Sequence, residues 1–186
     1  MPRRKNDPAA MRARILDAAF ELFQEQGYNA SSVHQIAARA AVTGGAFHHH
    51  FPTKKALGLA VIEERVAVAV EGTWLEPVRS APSARDGIMT VLEQIARQLD
   101  SQGSVRGCPV NNLTLELAFT DEGYRCALRD LFDRWRQTIA AKLGGADAEA
   151  RATMVIASYS GAMALAKVEQ RGQPLRVCAK ELDRLL

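Results

Sequence analysis

Apolar residues recur at helical spacing along nearly the whole chain, and no segment alternates convincingly with the two-residue period of a strand. Ile15, Ala18, Ala19, Leu22 and Phe23 mark one face of a first helix, with Asp7 and Pro8 as its cap and first position and Gly27 as its end. Ser32 and Gln35 form a capping-box pattern that opens a short second helix. Ala40, Ala41 and Val42 make a tight connection to Thr43, the expected cap of a third short helix ending near Phe51. Pro52 breaks that helix, and Thr53 caps a long fourth one reaching Glu76 and Pro77. Residues 77–83, PVRSAPS, have linker composition. Beyond them the pattern predicts helices over 84–102, from Pro109 to about Thr120, and from Asp121 to Leu143. Asp147 is the expected cap of an eighth, and a last short one follows Gly172 and Pro174. The expected architecture is all-α with about nine helices: an N-terminal helix-turn-helix domain over 1–55, and a helical body over 56–186 reached through helix four.

Several classes are excluded early. No apolar run approaches the ~18–20 residues of a membrane span. The basic start, MPRRKNDPAAMRAR, has no apolar region after it and does not read as a signal peptide. Cys108, Cys126 and Cys178 lack metal-type spacing, and their odd number argues against a disulfide framework. These features point to the cytoplasm. The net charge of +3 is unevenly placed: residues 1–55 hold eight of the 24 Lys and Arg against four of the 21 acids. All four histidines also lie within the first 50 residues. A basic head on a near-neutral body is what a polyanion-binding domain joined to something else would show.

The head also has the right chemistry for double-stranded DNA. Ser32, Thr43 and Thr53 each stand at a helix N-terminus, where a hydroxyl and free backbone N–H groups can receive a phosphate. Gly44 and Gly45 strip the start of the third helix, 43-TGGAFHHHF-51, of side chain, so its backbone could approach a duplex closely. Lys54 and Lys55 occupy the first turn of helix four, where the dipole disfavours cations by ~0.3–1 kcal/mol each. Two such residues imply an anion nearby. His48, His49 and His50 lie ~100° apart around a helix, so one or two face outward and at least one packs beneath. No histidine pair at i, i+4 and no flanking Cys or Asp cluster suggests a metal, and no cofactor motif is present.

The stretch from Arg14 to Glu64 resembles the DNA-binding domain of the tetracycline-repressor family. The resemblance rests on ILDAAFELF, the Gly27-Tyr28 turn, Val33-x-x-Ile36-Ala37 and His49-His50-Phe51-Pro52-x-Lys54-x-x-Leu57. It implies DNA-facing roles for Thr43, His49 and Lys54, and places the start of the third helix in the major groove. Two positions depart from the family's habit: residue 44, often basic, is Gly, and residue 48, often Tyr, is His.

The resemblance also implies a homodimer made through the last two long helices, and a pocket for a small-molecule effector among helices four to eight. Ala157, Ser158, Ser160, Gly161, Ala162 and Ala164 are small enough for close helix approach, and Leu175, Cys178, Leu182 and Leu185 form an apolar stripe. Candidate pocket residues are Trp74, Met89, Cys108, Asn112, Glu116, Phe119, Trp135, Tyr159 and Met163. Asn112 and Glu116, at i, i+4 in the apolar run Val110–Phe119, could satisfy each other or a ligand. Cys108, before Pro109 and beside Arg106, has the local setting of a low-pKa thiol, with Cys126 as a rival. Three readings fit: a repressor released from its operator by an effector, the same protein switched by thiol modification at Cys108, or an effector-independent DNA-binding protein. An enzyme is disfavoured, because no nucleophile–base pair, metal motif or phosphate loop appears in the body.

Overall fold

A computed structural model describes residues 7–186, and among these every regular element is helical. Helix α1 (Pro8–Gln26) starts where the Asp7 carboxylate accepts from the N–H groups of Ala9 and Ala10 at 3.0 and 3.2 Å. Helix α2 (Val33–Arg39) carries a complete capping box: Gln35 N–H donates to Ser32 Oγ, and Ser32 N–H donates to Gln35 Oε1. Helix α3 (Gly44–His50) begins with the Thr43 hydroxyl accepting from Ala46 N–H at 3.2 Å. Between α2 and α3, Ala41 takes a left-handed φ of 53°, a strained conformation for an alanine. That reversal lets Ile36, Ala37, Ala40, Phe47 and Phe51 close on Ile15, Ala19 and Phe23 of α1 in one buried core.

Helix α4 runs without a break over 54–80, capped by the Thr53 hydroxyl on Ala56 N–H. Two wide π turns, Ile62–Val66 and Glu71–Leu75, interrupt its α-helical ladder. The second lies just before Pro77 and accommodates a residue that has no N–H to donate. The helix therefore continues to Ser80 instead of stopping at Pro77, and only residues 81–83 of the expected linker are irregular.

The body follows as α5 (Ala84–Ser101), α6 (Pro109–Leu117), α7 (Glu122–Leu143), α8 (Ala148–Glu169) and α9 (Gln173–Leu182). Nine helices are thus present among the described residues. Helix α8 packs on α7 and α9, and α9 packs back on α5. Two boundaries differ from the sequence reading. Helix α6 ends at Leu117, three residues early, and Asp147 offers α8 no side-chain cap because its backbone is already turning (φ −95°, ψ 10°). No helix among the described residues is long and apolar enough to cross a membrane.

Candidate nucleic-acid interface and body cavity

Helix α3 buries Phe47 completely and leaves Thr43, Gly44, Gly45, His48 and His49 exposed. His50 is half-buried beside His49, with ring centroids 5.3 Å apart. A Cβ placed on Gly44 or Gly45 would meet nothing within 4 Å. No neighbour inside the chain requires these positions to be bare. Ser32 and Thr53, also exposed, sit at the N-termini of α2 and α4.

The cations of the head are less free than their number suggests. Arg12 forms a bidentate pair with Glu64 of α4 at 2.6 and 2.5 Å, holding that carboxyl below the usual glutamate range. Arg39 bonds Glu25 and Glu21 of α1. Lys55 meets Asp121 at 2.5 Å, so the anion that its place in the first turn implies is a carboxylate of the body. Lys54 lies over the ring of Tyr28, its ammonium 4.2 Å from the centroid, and donates to the Asn29 carbonyl at 3.4 Å. Partial burial pushes its pKa down, against the pull of the nearby Glu116 carboxylate. Arg3, Arg4 and Lys5 lie outside the described residues.

Asn112 and Glu116 do not pair with each other. Glu116 accepts from the backbone N–H groups of Tyr28 and Asn29 at 3.1 and 2.9 Å, so α6 holds the turn between α1 and α2. Asn112 Nδ2 donates to Gln24 Oε1 of α1 at 3.2 Å and to the Arg106 carbonyl at 3.0 Å. One helix further on, the hydroxyls of Tyr124 and Tyr28 meet at 2.7 Å. Helical periodicity carries no sign of this seam, because its partners are up to 96 residues apart.

The nine candidate pocket residues separate into distinct places. Trp74, Trp135 and Tyr159 form a buried aromatic cluster with ring centroids 4.9–5.6 Å apart. Both indole N–H groups there have no partner among the described residues. Met89 is half-buried at the edge of the core. Phe119 projects fully into solvent, because α6 ends before it, and it lines no interior cavity. Cys108, Asn112 and Met163 do share a cavity of about 350 Å³ between α6 and α8. Asn111, Ser160 and Lys167 line it too and were not among the candidates. Lys167 was legible only as an isolated cation at the end of an apolar helix.

Cys108 differs from its expectation. It stands at the N-cap of α6 but is buried, and burial pushes its thiol pKa up, outweighing the hydrogen bonds that lower it. Arg106 is paired with Glu25 at 3.5 Å. Cys126 is half-buried and donates weakly to Glu122. Among the described residues no three His, Cys, Asp or Glu side chains converge as a metal site.

On α8, Ala162 is buried within the chain, whereas Ala157, Gly161 and Ala164 are exposed and a Cβ on Gly161 would meet nothing within 4 Å, so packing within one subunit does not explain the glycine. Met154, Leu165 and Val168 on α8, with Val177 on α9 and Leu185 just past its end, extend an apolar exposed face.

A helix-turn-helix head with an exposed third helix, docked on an all-helical body, defines a DNA-binding regulator with a separate second module. Residues 15–61 match the model of the tetR family of bacterial regulatory proteins, and residues 84–181 match the C-terminal domain of LmrA/YxaF-like transcriptional regulators. The chain belongs to the tetR family; it is a DNA-binding transcriptional regulator and not an enzyme. It is 28% identical over 181 residues to the uncharacterized regulator YxaF of Bacillus subtilis, covering 94% of each chain. It is 27% identical over 182 residues to the transcriptional repressor DhaR of Mycobacterium sp. (strain GP1), covering 89% of this chain and 86% of that one. In fold it is similar to the crystal structure of the regulatory protein TetR from Rhodobacter sphaeroides, with a TM-score of 0.82 at 24% identity over 92% of this chain and 96% of that one.

Proposed function

We propose that the protein is a homodimeric cytoplasmic repressor that holds an operator through residues 1–55 and releases it when the body, residues 56–186, takes up a small molecule. The observation that carries the DNA-reading surface is the bare, exposed start of α3. A Cβ on Gly44 or Gly45 would meet nothing inside the chain, and Thr43 and His49 nearby are exposed as well. In this reading α3 enters the major groove, with Thr43, His48 and His49 at base edges. Ser32 and the N-terminus of α4 take phosphates. Lys54 leaves the Tyr28 ring for a phosphate, whereas Lys55 stays with Asp121. The apolar face around Gly161 supports pairing with a second copy, which would present two α3 helices to half-sites one helical turn apart. The repressor name of the mycobacterial relative supports the direction of control.

Selection of genomic fragments by the purified protein tests this reading. An enriched inverted repeat with half-site centres ~34–36 Å apart, or a multiple of that, is expected. Retention of DNA with no enriched sequence would overturn it.

A further inference from the structure

The cavity between α6 and α8 has a chemistry of its own. Its walls are mostly apolar, formed by Leu115, Met163 and Ala164, and its one charged lining group is Lys167. Among the described residues no carboxylate lies within 4.0 Å of that ammonium; its hydrogen bond is to the neutral Asn112 Oδ1, at 3.4 Å. The amides of Asn111 and Asn112 and the hydroxyl of Ser160 stand on the same walls. A space of about 350 Å³ is at the small end of ligand sites. A single cation with amide neighbours above an apolar wall suits a ligand with one negative charge and a short hydrocarbon part.

Asn112 joins this cavity to the DNA-binding head. Its Oδ1 faces Lys167, while its Nδ2 holds Gln24 of α1. The other end of the Gln24 amide, Nε2, is buried without a partner, so this junction is held from one side only. One turn along α6, Glu116 grips the backbone of Tyr28 and Asn29. An anion on Lys167 would draw the ammonium from Asn112 Oδ1 and attract the Asn112 N–H donors away from Gln24.

We propose that this cavity binds a small organic carboxylate through Lys167 and Asn112, and that binding loosens α1 from α6 at Gln24. The inference rests on the reading of the chain as an effector-controlled DNA-binding protein and names the class and place of the effector. The test uses the full chain, with butyrate, hexanoate and benzoate as probes and their primary amides as neutral counterparts of equal size. Calorimetry reports binding, and fluorescence anisotropy of a selected duplex reports release. At least one carboxylate is expected to bind and to release the duplex, with its amide about tenfold weaker or worse, as the loss of a charge-assisted hydrogen bond implies. Lys167→Met, at an exposed position, should lose carboxylate binding by a similar factor in calorimetry, a readout independent of duplex affinity. Ala164→Trp, which fills the cavity, should abolish binding of acid and amide alike. No binding by any carboxylate, equal binding of acid and amide, or wild-type binding by Lys167→Met would overturn the proposal. Failure of the probe-free protein to bind any selected duplex would instead overturn the regulator reading, because calorimetry does not depend on DNA.

Discussion

Glycine serves opposite ends at Gly172 of the body and at Gly44 and Gly45 of the head. In the body, a Cβ on Gly172 would stand 2.3 Å from the Ala96 carbonyl oxygen and 2.8 Å from that residue's Cα. Glycine is there because α9 must start against the backbone of α5. In the head, Gly44 and Gly45 face open space. The first arrangement is satisfied within the chain, and the second makes sense when something else approaches. The polar groups divide in the same way. Glu116, Asn112 and Asp121 of the body reach partners in the head or at its edge, whereas Thr43 and His49 remain exposed.

The largest effect should come from the other open glycine. Gly161→Glu places a charge on the apolar face of α8 and should give a monomer in sedimentation velocity, with operator affinity lower by on the order of 10²–10⁴ once two half-sites no longer act together. A dimer with intact affinity would move the interface elsewhere. Next, Gly172→Ala should destabilise the fold by ~1–3 kcal/mol through overpacking, lowering the thermal midpoint by ~2–4 °C for each kcal/mol, while the protein that remains folded binds operator normally. Gly44→Ala should do the reverse. Its thermal midpoint should hold or rise, since alanine favours a helix by ~0.5–1 kcal/mol over glycine, while operator affinity falls about tenfold. If Gly44→Ala melts early, or Gly172→Ala melts normally, the contrast between the two regions fails. The smallest effect concerns Lys54. Lys54→Ala should weaken binding by a few-fold for all sequences and reduce the slope of log K against log salt by about 0.9, the value for one phosphate contact. An unchanged slope would leave Lys54 as a partner of Tyr28 and Asn29 within the chain.

Much of this was legible locally. The caps at Asp7, Ser32, Thr43 and Thr53 each bond the N–H two or three residues ahead, so a short window of sequence contains both partners. The outward side of α3 was legible for a similar reason, since three successive histidines cannot share one face, and His48 and His49 are exposed while His50 is half-buried. What was not legible depended on distant chain. The first-turn position of Lys55 signalled an anion, but Asp121 is 66 residues away. Glu116 stood out as polar in an apolar run, yet its partners at Tyr28 and Asn29 lie 88 and 87 residues back. Around Cys108 the start of α6 and the nearby Arg106 favoured a thiolate, and tertiary burial reverses the sign. Pro77 read as a stop because nothing nearby announces the π turn that accommodates it.

The claim that the open face of α3 is a DNA-reading surface, and not simply solvated, is tested most directly by Thr43→Ala combined with His49→Ala. Affinity for the selected duplex and for an unrelated duplex would be measured beside the thermal midpoint. Both side chains are exposed, so the midpoint should stay near that of the parent protein. Affinity for the selected duplex should fall by at least about tenfold, with little change for the unrelated one, because base contacts worth ~1–3 kcal/mol are lost while phosphate contacts remain. Unchanged discrimination between the two duplexes, or loss of the fold, would contradict the account.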